Sequence, residues 1–289
     1  MGDTPRLYDA RRDERDACGI GFVADLGHRP SRAMVDHALA GLERLRHRGA
    51  IASDARTGDG AGLLLPLDKS WLARPGEDPA RLGVAMAFLP RADTEAAAAR
   101  AAVSDALAAE GLTLLRWRQV PVEEAALGDH ARATAPRIEQ AVFLAPDGAD
   151  SEDAERRCFR AGRRAARAAG QGLYLASCST RTVTYKALCA ADQLAAFYPD
   201  LADPTLMAPF VIFHQRYSTN TTPSWERAQP FRFLGHNGEI NTLAGNRAWM
   251  RAREGWLGAA DPARVLISPL WPRKRNGWAR SHDGVVLVE

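Results

Sequence analysis

Cys18 stands directly behind a leader, Asp3 to Asp16, that is dense in Arg, Asp and Glu, and directly ahead of the apolar run Gly19-Ile20-Gly21-Phe22-Val23-Ala24. A cysteine so placed is ordinarily a small buried hydrophobe. Cutting the Ala17-Cys18 bond would open a different chemistry. One terminal residue would then carry a thiol of pKa about 8.5 and an α-amine of about 7.7 to 8.0, a nucleophile and its own base near neutral pH. Cys18 can make the cut itself by attacking the preceding carbonyl through a thioester, so unprocessed chain should be inactive. Amide hydrolysis by such a group also needs donors for a transient oxyanion. In Asn237-Gly238 a carboxamide adjoins an unhindered backbone N–H, although the same pair between apolar residues is equally a type I′ hairpin signal. Arg216 offers the planar, two-pronged donor that suits a carboxylate, with Thr219 close by, or else a surface ion pair.

Other chemistry-bearing groups carry less. Thr57-Gly58-Asp59-Gly60-Ala61-Gly62 lacks the Gly-Lys-Ser/Thr ending of a phosphate loop, and a tight loop beside the active site is expected. Seven histidines without HExxH or paired spacing give metal ligation little support, and His236 is assigned to the support of the Asn237 backbone. Arg156, Arg157, Arg160, Arg163, Arg164 and Arg167 recur among alanines at helical spacing, as on a solvated helix face.

The elements that must position these residues are mixed. From Ser31, apolar positions Met34, Val35, Ala38, Leu39, Leu42 and Leu45 keep one helical face to about His47. Further helices are expected over residues 93–110, 151–169 (closed by Gly170), 190–197 and 241–254. Cys18 is expected at the first residue of a buried strand, its backbone closely approached, with further strands over 63–67, 83–89, 112–120, 141–144, 172–178, 210–214 and 231–234. The strands do not alternate with helices at a βαβ rhythm, so layered sheets with helices outside are expected, in one domain. The alanine run Ala96 to Ala102 fits an exposed helix. With 46% hydrophobic and 25% charged residues the 289-residue chain is globular in composition, and its net charge of +3 demands neither nucleic acid nor an anionic membrane. No apolar run approaches the roughly 18 residues of a membrane-spanning helix. Four cysteines without CxxC spacing and a start without an apolar signal core predict a cytoplasmic protein with reduced thiols.

Asp16-Ala17-Cys18-Gly19-Ile20-Gly21-Phe22 resembles the start of class II glutamine amidotransferases, members of the N-terminal nucleophile hydrolases. Within that group the chain looks like the amidotransferase domain of the glutamate synthase large subunit. The strings His47-Arg48-Gly49-Ala50 with Thr57 to Gly62, His214-Gln215-Arg216-Tyr217-Ser218-Thr219-Asn220-Thr221 and His236-Asn237-Gly238-Glu239-Ile240-Asn241-Thr242 carry that resemblance. Trp117-Arg118-Gln119-Val120-Pro121 and Phe197-Tyr198-Pro199-Asp200-Leu201 extend it over roughly residues 14 to 255.

The resemblance implies an α+β fold, the four-layer αββα sandwich, its C-terminal part incomplete here. It implies a glutaminase that releases ammonia for glutamate synthesis from 2-oxoglutarate, with Cys18 as nucleophile and base. Asn237 and Gly238 become the oxyanion hole, and Arg216 with Thr219 the grip on the α-carboxylate of glutamine. The family's Ser-Asp-Ser stretch, whose aspartate holds the substrate amine, is replaced here by the Trp-, Arg- and Lys-rich segment Pro269 to Trp278, and Asp283 is the nearest candidate. Cleavage before Cys18 makes residues 1–17 a propeptide, and the changed segment predicts 18–269 as the amidotransferase domain and 270–289 as a divergent tail, frameshifted or truncated. No cofactor is expected within the chain. FMN and an iron-sulfur cluster belong to the synthase portion, whose domains are normally in the same polypeptide and partnered by a small NADPH-oxidising subunit. The alternatives are an inert fragment of that subunit and another class II amidotransferase, phosphoribosylamine-forming or glucosamine-forming.

Overall fold

Residues 19–215 and 222–232 are described by a computed structural model. Strand β1 (Ile20–Ala24) leads to helix α1 (Arg32–Arg44), β2 (Ala61–Pro66), the one-turn α2 (Lys69–Leu72) and β3 (Leu82–Leu89). Then come α3 (Asp93–Ala109), β4 (Thr113–Gln119), the short α4 (Asp129–Ala133), β5 (Arg137–Leu144) and α5 (Ser151–Ala169). Strands β6 (Tyr174–Ser179) and β7 (Thr182–Ala187), the one-turn α6 (Leu194–Phe197) and α7 (Pro199–Ala202), and β8 (Phe210–Gln215) complete the described elements. The strands form two four-stranded sheets, ordered β1-β8-β2-β7 and β4-β5-β3-β6, with antiparallel pairing along the registers. The fold is therefore α+β.

Strand β3 shows how the core is divided. All eight of its residues are buried. Val84, Met86 and Phe88 share a cluster with Leu63 and Leu65 of β2 and with Val183 and Tyr185 of β7. The alternate residues Ala85, Ala87 and Leu89 share a second cluster with Ala96, Ala99 and Val103 of α3 and with Ala154, Cys158 and Ala161 of α5. A period of two thus sends one β3 face toward the other sheet and one toward the helices. The alanine run of α3 is exposed in part only: Ala97, Ala98 and Ala101 are exposed, whereas Ala96 and Ala99 are buried where α3 meets α5.

Several elements depart from expectation for physical reasons. Strand β1 pairs with β8 as a strand should, and Phe213 closely approaches its backbone at Gly21. It is not buried, however: Phe22 is 76% exposed and Ile20 54%. The Ser31 side chain caps nothing, its backbone being bridged to Ala208, and α1 gives way after Arg44 to a 3-10 turn, Arg46–Arg48. The expected helix over 190–197 is a 3-10 turn, Ala191–Gln193, followed by the single turn of α6. Strand β5 begins at Arg137 because the charge of Glu139 is buried as a two-point pair with Arg100, at 2.8 and 2.5 Å. Strand β7 was not anticipated, since its Thr184 and Lys186 are polar yet fully buried. The arginines of α5 do not merely face water: Arg160 and Arg164 bond the Glu110 carboxylate, and Arg157 bonds the Glu110 carbonyl. Phe231 and Arg232 lie in no strand; Phe233 and Leu234, the helix expected over 241–254, the leader and the tail lie outside the described residues.

Candidate active site

Cys18, Arg216, Thr219, Asn237, Gly238 and Asp283 all lie outside the described residues. What the structure does describe is the ground that adjoins the first two. Strands β1 and β8 run antiparallel from Ile20↔His214 to Ala24↔Phe210, and the Gln215 N–H donates to the Gly19 carbonyl at 2.6 Å. The residue that follows Cys18 and the residue that precedes Arg216 are therefore bonded across the sheet. No sequence spacing shows that pairing, because nearly the whole described chain separates the two.

Two of the strings that carry the family resemblance reach the same place. Gln215 also lies opposite Ala61 on β2, and its Nε2 donates to Asp59 Oδ1 at 3.3 Å. Gly49 packs against that carboxamide so closely that a Cβ there would stand 2.2 Å from Nε2. The Asp59 N–H donates to the Ala50 carbonyl at 3.1 Å, which fastens one string to the other. The glycine-rich loop is as tight as expected: at Gly58 a Cβ would meet the backbone of Cys189 and Ala190 at 2.2 to 2.4 Å. Asp54 organises its approach, accepting from the Thr57 hydroxyl, from Thr57 N–H at 2.7 Å, Arg56 N–H at 3.0 Å and His130 N–H at 3.2 Å. Those bonds, the Thr57 hydroxyl first, hold the Asp54 carboxyl well below the usual carboxylate range.

The strings at Trp117 and Phe197 also meet, in a buried polar junction. Arg118 spans Asp200 with two bonds, 2.8 and 2.6 Å, and lies over the Trp71 ring at 5.1 Å. Asp200 also accepts from the Tyr185 hydroxyl at 2.9 Å, and burial pushes that phenol up. Here the specific residues hold the frame together.

The remaining cysteines fit structural roles. Cys158 and Cys189 are fully buried; the neighbouring Cys178 thiol and then burial push Cys158 up, and burial pushes Cys189 up, away from the thiolate a nucleophile needs. Among the described residues no group of three His, Cys, Asp or Glu side chains could hold a metal, and no helix is long and apolar enough to cross a membrane. A shallow apolar groove of about 330 Å³ runs over Ile20, Phe22, Ala24, Phe210 and Ile212, on the strand that leaves Cys18. Asp59 and Gln215 are the participants that sequence reasoning left without a role, although both stand inside strings it singled out.

Comparison with known proteins agrees with these motifs. The family described as glutamine amidotransferases class-II matches residues 18–272. The chain is 40% identical over 267 residues, 90% of its length, to ferredoxin-dependent glutamate synthase 2 of Synechocystis sp., covering 17% of that protein. It is 41% identical over 254 residues to the glutamate synthase [NADPH] large chain of Azospirillum brasilense, 84% of this chain and 17% of the relative. For the Bacillus subtilis large chain the figures are 39% over 251 residues, 83% and 16%. The chain thus spans about one sixth of the length of the curated relatives it matches.

Proposed function

Because the chain belongs to the class-II glutamine amidotransferases, we propose that it hydrolyses L-glutamine to L-glutamate and ammonia with Cys18, freed as a terminal residue, as its nucleophile. The observation that carries this reading is the family match itself, which begins at the one cysteine that stands behind a charged leader.

In the reaction the Cys18 amine takes the thiol proton and Sγ bonds to the carboxamide carbon of glutamine. Asn237 Nδ2 and the Gly238 N–H meet the oxyanion, a term worth about 10² to 10³ in rate for each donor. The C–N bond then breaks, the amine returns its proton to the leaving nitrogen, and ammonia departs from a thioester that water hydrolyses to glutamate. Arg216, with Thr219, holds the α-carboxylate, and Asp283 the α-ammonium group. The fold is the four-layer αββα sandwich of this hydrolase class, a reading supported by the division of β3 between a two-sheet core and a helix-facing core.

Residues 1–17 form the propeptide, and the catalytic domain starts at Cys18. In the full-length enzyme the ammonia serves reductive glutamate synthesis from 2-oxoglutarate, in synthase domains of the same polypeptide that hold FMN and an iron-sulfur cluster, with a small NADPH-oxidising subunit as the further partner. The protein works in the cytoplasm, as its free thiols Cys158, Cys178 and Cys189 support.

Intact mass of the purified chain, measured beside glutamine-dependent ammonia release, tests the reading. Cys18→Ala should abolish both leader removal and turnover, whereas Asn237→Ala should still bind glutamine and turn it over about 10² to 10³ more slowly. A chain that keeps its first seventeen residues and releases ammonia at the full rate would overturn it.

A further inference from the structure

Two free cysteines that the proposed hydrolysis does not use meet where α5 lies on the sheet β4-β5-β3-β6. Cys158, on α5, is fully buried. Cys178, on β6, is only partly buried, and it packs into the same cluster, which also holds Ala161 and Ala165 of the helix. Across the sheet Cys178 pairs with Ala85 of β3, so small residues on both sides let helix and strand come together. Gly162 measures how close they come. A Cβ there would lie 3.6 Å from the Cys178 Cβ, a separation that a disulfide spans. Cα–Cβ bonds of a helix tilt toward its N-terminus, and residues four apart share a face, so Cys178 stands against the turn that runs from Cys158 to Gly162. There the two thiols share a side-chain hydrogen bond.

We propose that Cys178 and Cys158 are an oxidation site, a dithiol that hydrogen peroxide converts to a disulfide, clamping α5 covalently to β6. Exposure sets the order of events, because the accessible sulfur is the one an oxidant meets. Cys178 Sγ attacks one peroxide oxygen, the O–O bond breaks, and the thiol proton leaves with the other oxygen as water. Cys178 then carries a sulfenic acid. Cys158 Sγ attacks that sulfur, the S–O bond breaks, and the departing hydroxide takes the Cys158 proton as a second water. The two sulfurs together lose two electrons, and one peroxide gains them. As long as Cys178 is a thiol it is the first cause that holds Cys158 protonated, ahead of burial, so Cys158 is released to react only after its neighbour is oxidised. A sulfur adjacent to a resolving thiol stops at the disulfide, which a dithiol reductant reverses, and does not climb to the irreversible acids.

The test treats the full chain, reduced and freed of reductant, with hydrogen peroxide and quenches it with catalase. Remaining thiols are alkylated in denaturant and the peptides are mapped by mass. The peptides of Cys158 and Cys178 should be joined and lighter by two hydrogens, the fully buried Cys189 should stay alkylatable, and dithiothreitol should restore both thiols. The thermal midpoint of the oxidised chain should rise by about 5 °C or more over that of the reduced chain, since the bond restricts the unfolded state. In Cys178→Ala the Cys158 thiol should survive peroxide, and in Cys158→Ala the Cys178 sulfenic acid should be trapped by dimedone with no joined peptide. Cys18→Ala should form the same bond, so the hydrolase reading and this one stand or fall separately. A parent whose Cys158 and Cys178 both stay alkylatable overturns the proposal, as does one that joins either to a different cysteine, or an oxidised chain whose midpoint is no higher than the reduced. Those outcomes are read on the parent alone, so a variant that fails to fold does not blunt them.

Discussion

Asp54 accepts a hydroxyl and three backbone N–H groups, and through them fixes the turn that delivers Thr57 and Asp59. Its folded pKa is depressed, so the charge contributes stability that is complete above the unfolded value of about 3.9 and is lost as the pH falls through the lower folded value. Asp54→Asn should therefore lower the thermal midpoint at pH 7, and the gap between variant and parent should close as both are titrated below about pH 4. A gap that stays constant down to strong acid would show that the charge contributes nothing. At this scale the sequence offers candidates for nucleophile, oxyanion donors and carboxylate grip, each recognised by residue type and by neighbours in the chain, and all of them lie outside the described residues. It did not display the contact between Gln215 and Asp59, because the two are 156 positions apart and meet only through strand register. Nor did it display Asp54, since an aspartate in a loop looks the same whether or not it gathers donors.

The Arg118–Asp200 pair joins β4 to α7, and with Tyr185 it ties both to β7. The Asp200 side chain is only 4% exposed, so removal of its partner strands a charge. Arg118→Met is expected to cost about 3 kcal/mol, the lower end for a broken buried pair because Tyr185 still donates and Arg118 itself is one-fifth exposed. In urea unfolding, Arg118→Met/Asp200→Asn should recover part of that loss; a double variant no better than the single would mean that the stranded charge is not the cause. Helices α1, α3 and α5 were legible because apolar or small residues at three- and four-residue spacing mark one face. Strand β7 was not, because a strand with Thr184 and Lys186 fully buried violates the alternation that reveals a half-buried strand. Lys186 is met by groups distant in sequence, among them the Tyr174 hydroxyl at 2.6 Å, the Glu226 carbonyl at 2.7 Å, and the rings of Tyr174 and Phe231. Side-chain chemistry of that kind is invisible to a local pattern.

At the scale of the molecule, the absence of a βαβ rhythm pointed to layered sheets, while the order β1-β8-β2-β7 depended on pairing the two ends of the described chain. Among the described residues that order leaves β1 as an end strand, and its outward residues Ile20 and Phe22 continue into Phe210 and Ile212 as one apolar groove. The opposite face is different: Phe213 is 7% exposed and packs into a core with Leu42 and Leu63. The two phenylalanines should therefore respond in opposite ways. Phe213→Ala removes a buried ring and should cost about 3 to 5 kcal/mol. Phe22→Lys removes an exposed one and should leave the unfolding midpoint nearly unchanged, within about 0.5 kcal/mol. An end strand with an apolar face is a template for association. The weight-average mass of the parent in sedimentation should accordingly rise with concentration, and that of Phe22→Lys should stay at the monomer value. A parent that remains monomeric at every concentration would show that this face does not drive association, and a large stability loss in Phe22→Lys would show that it is packed rather than open.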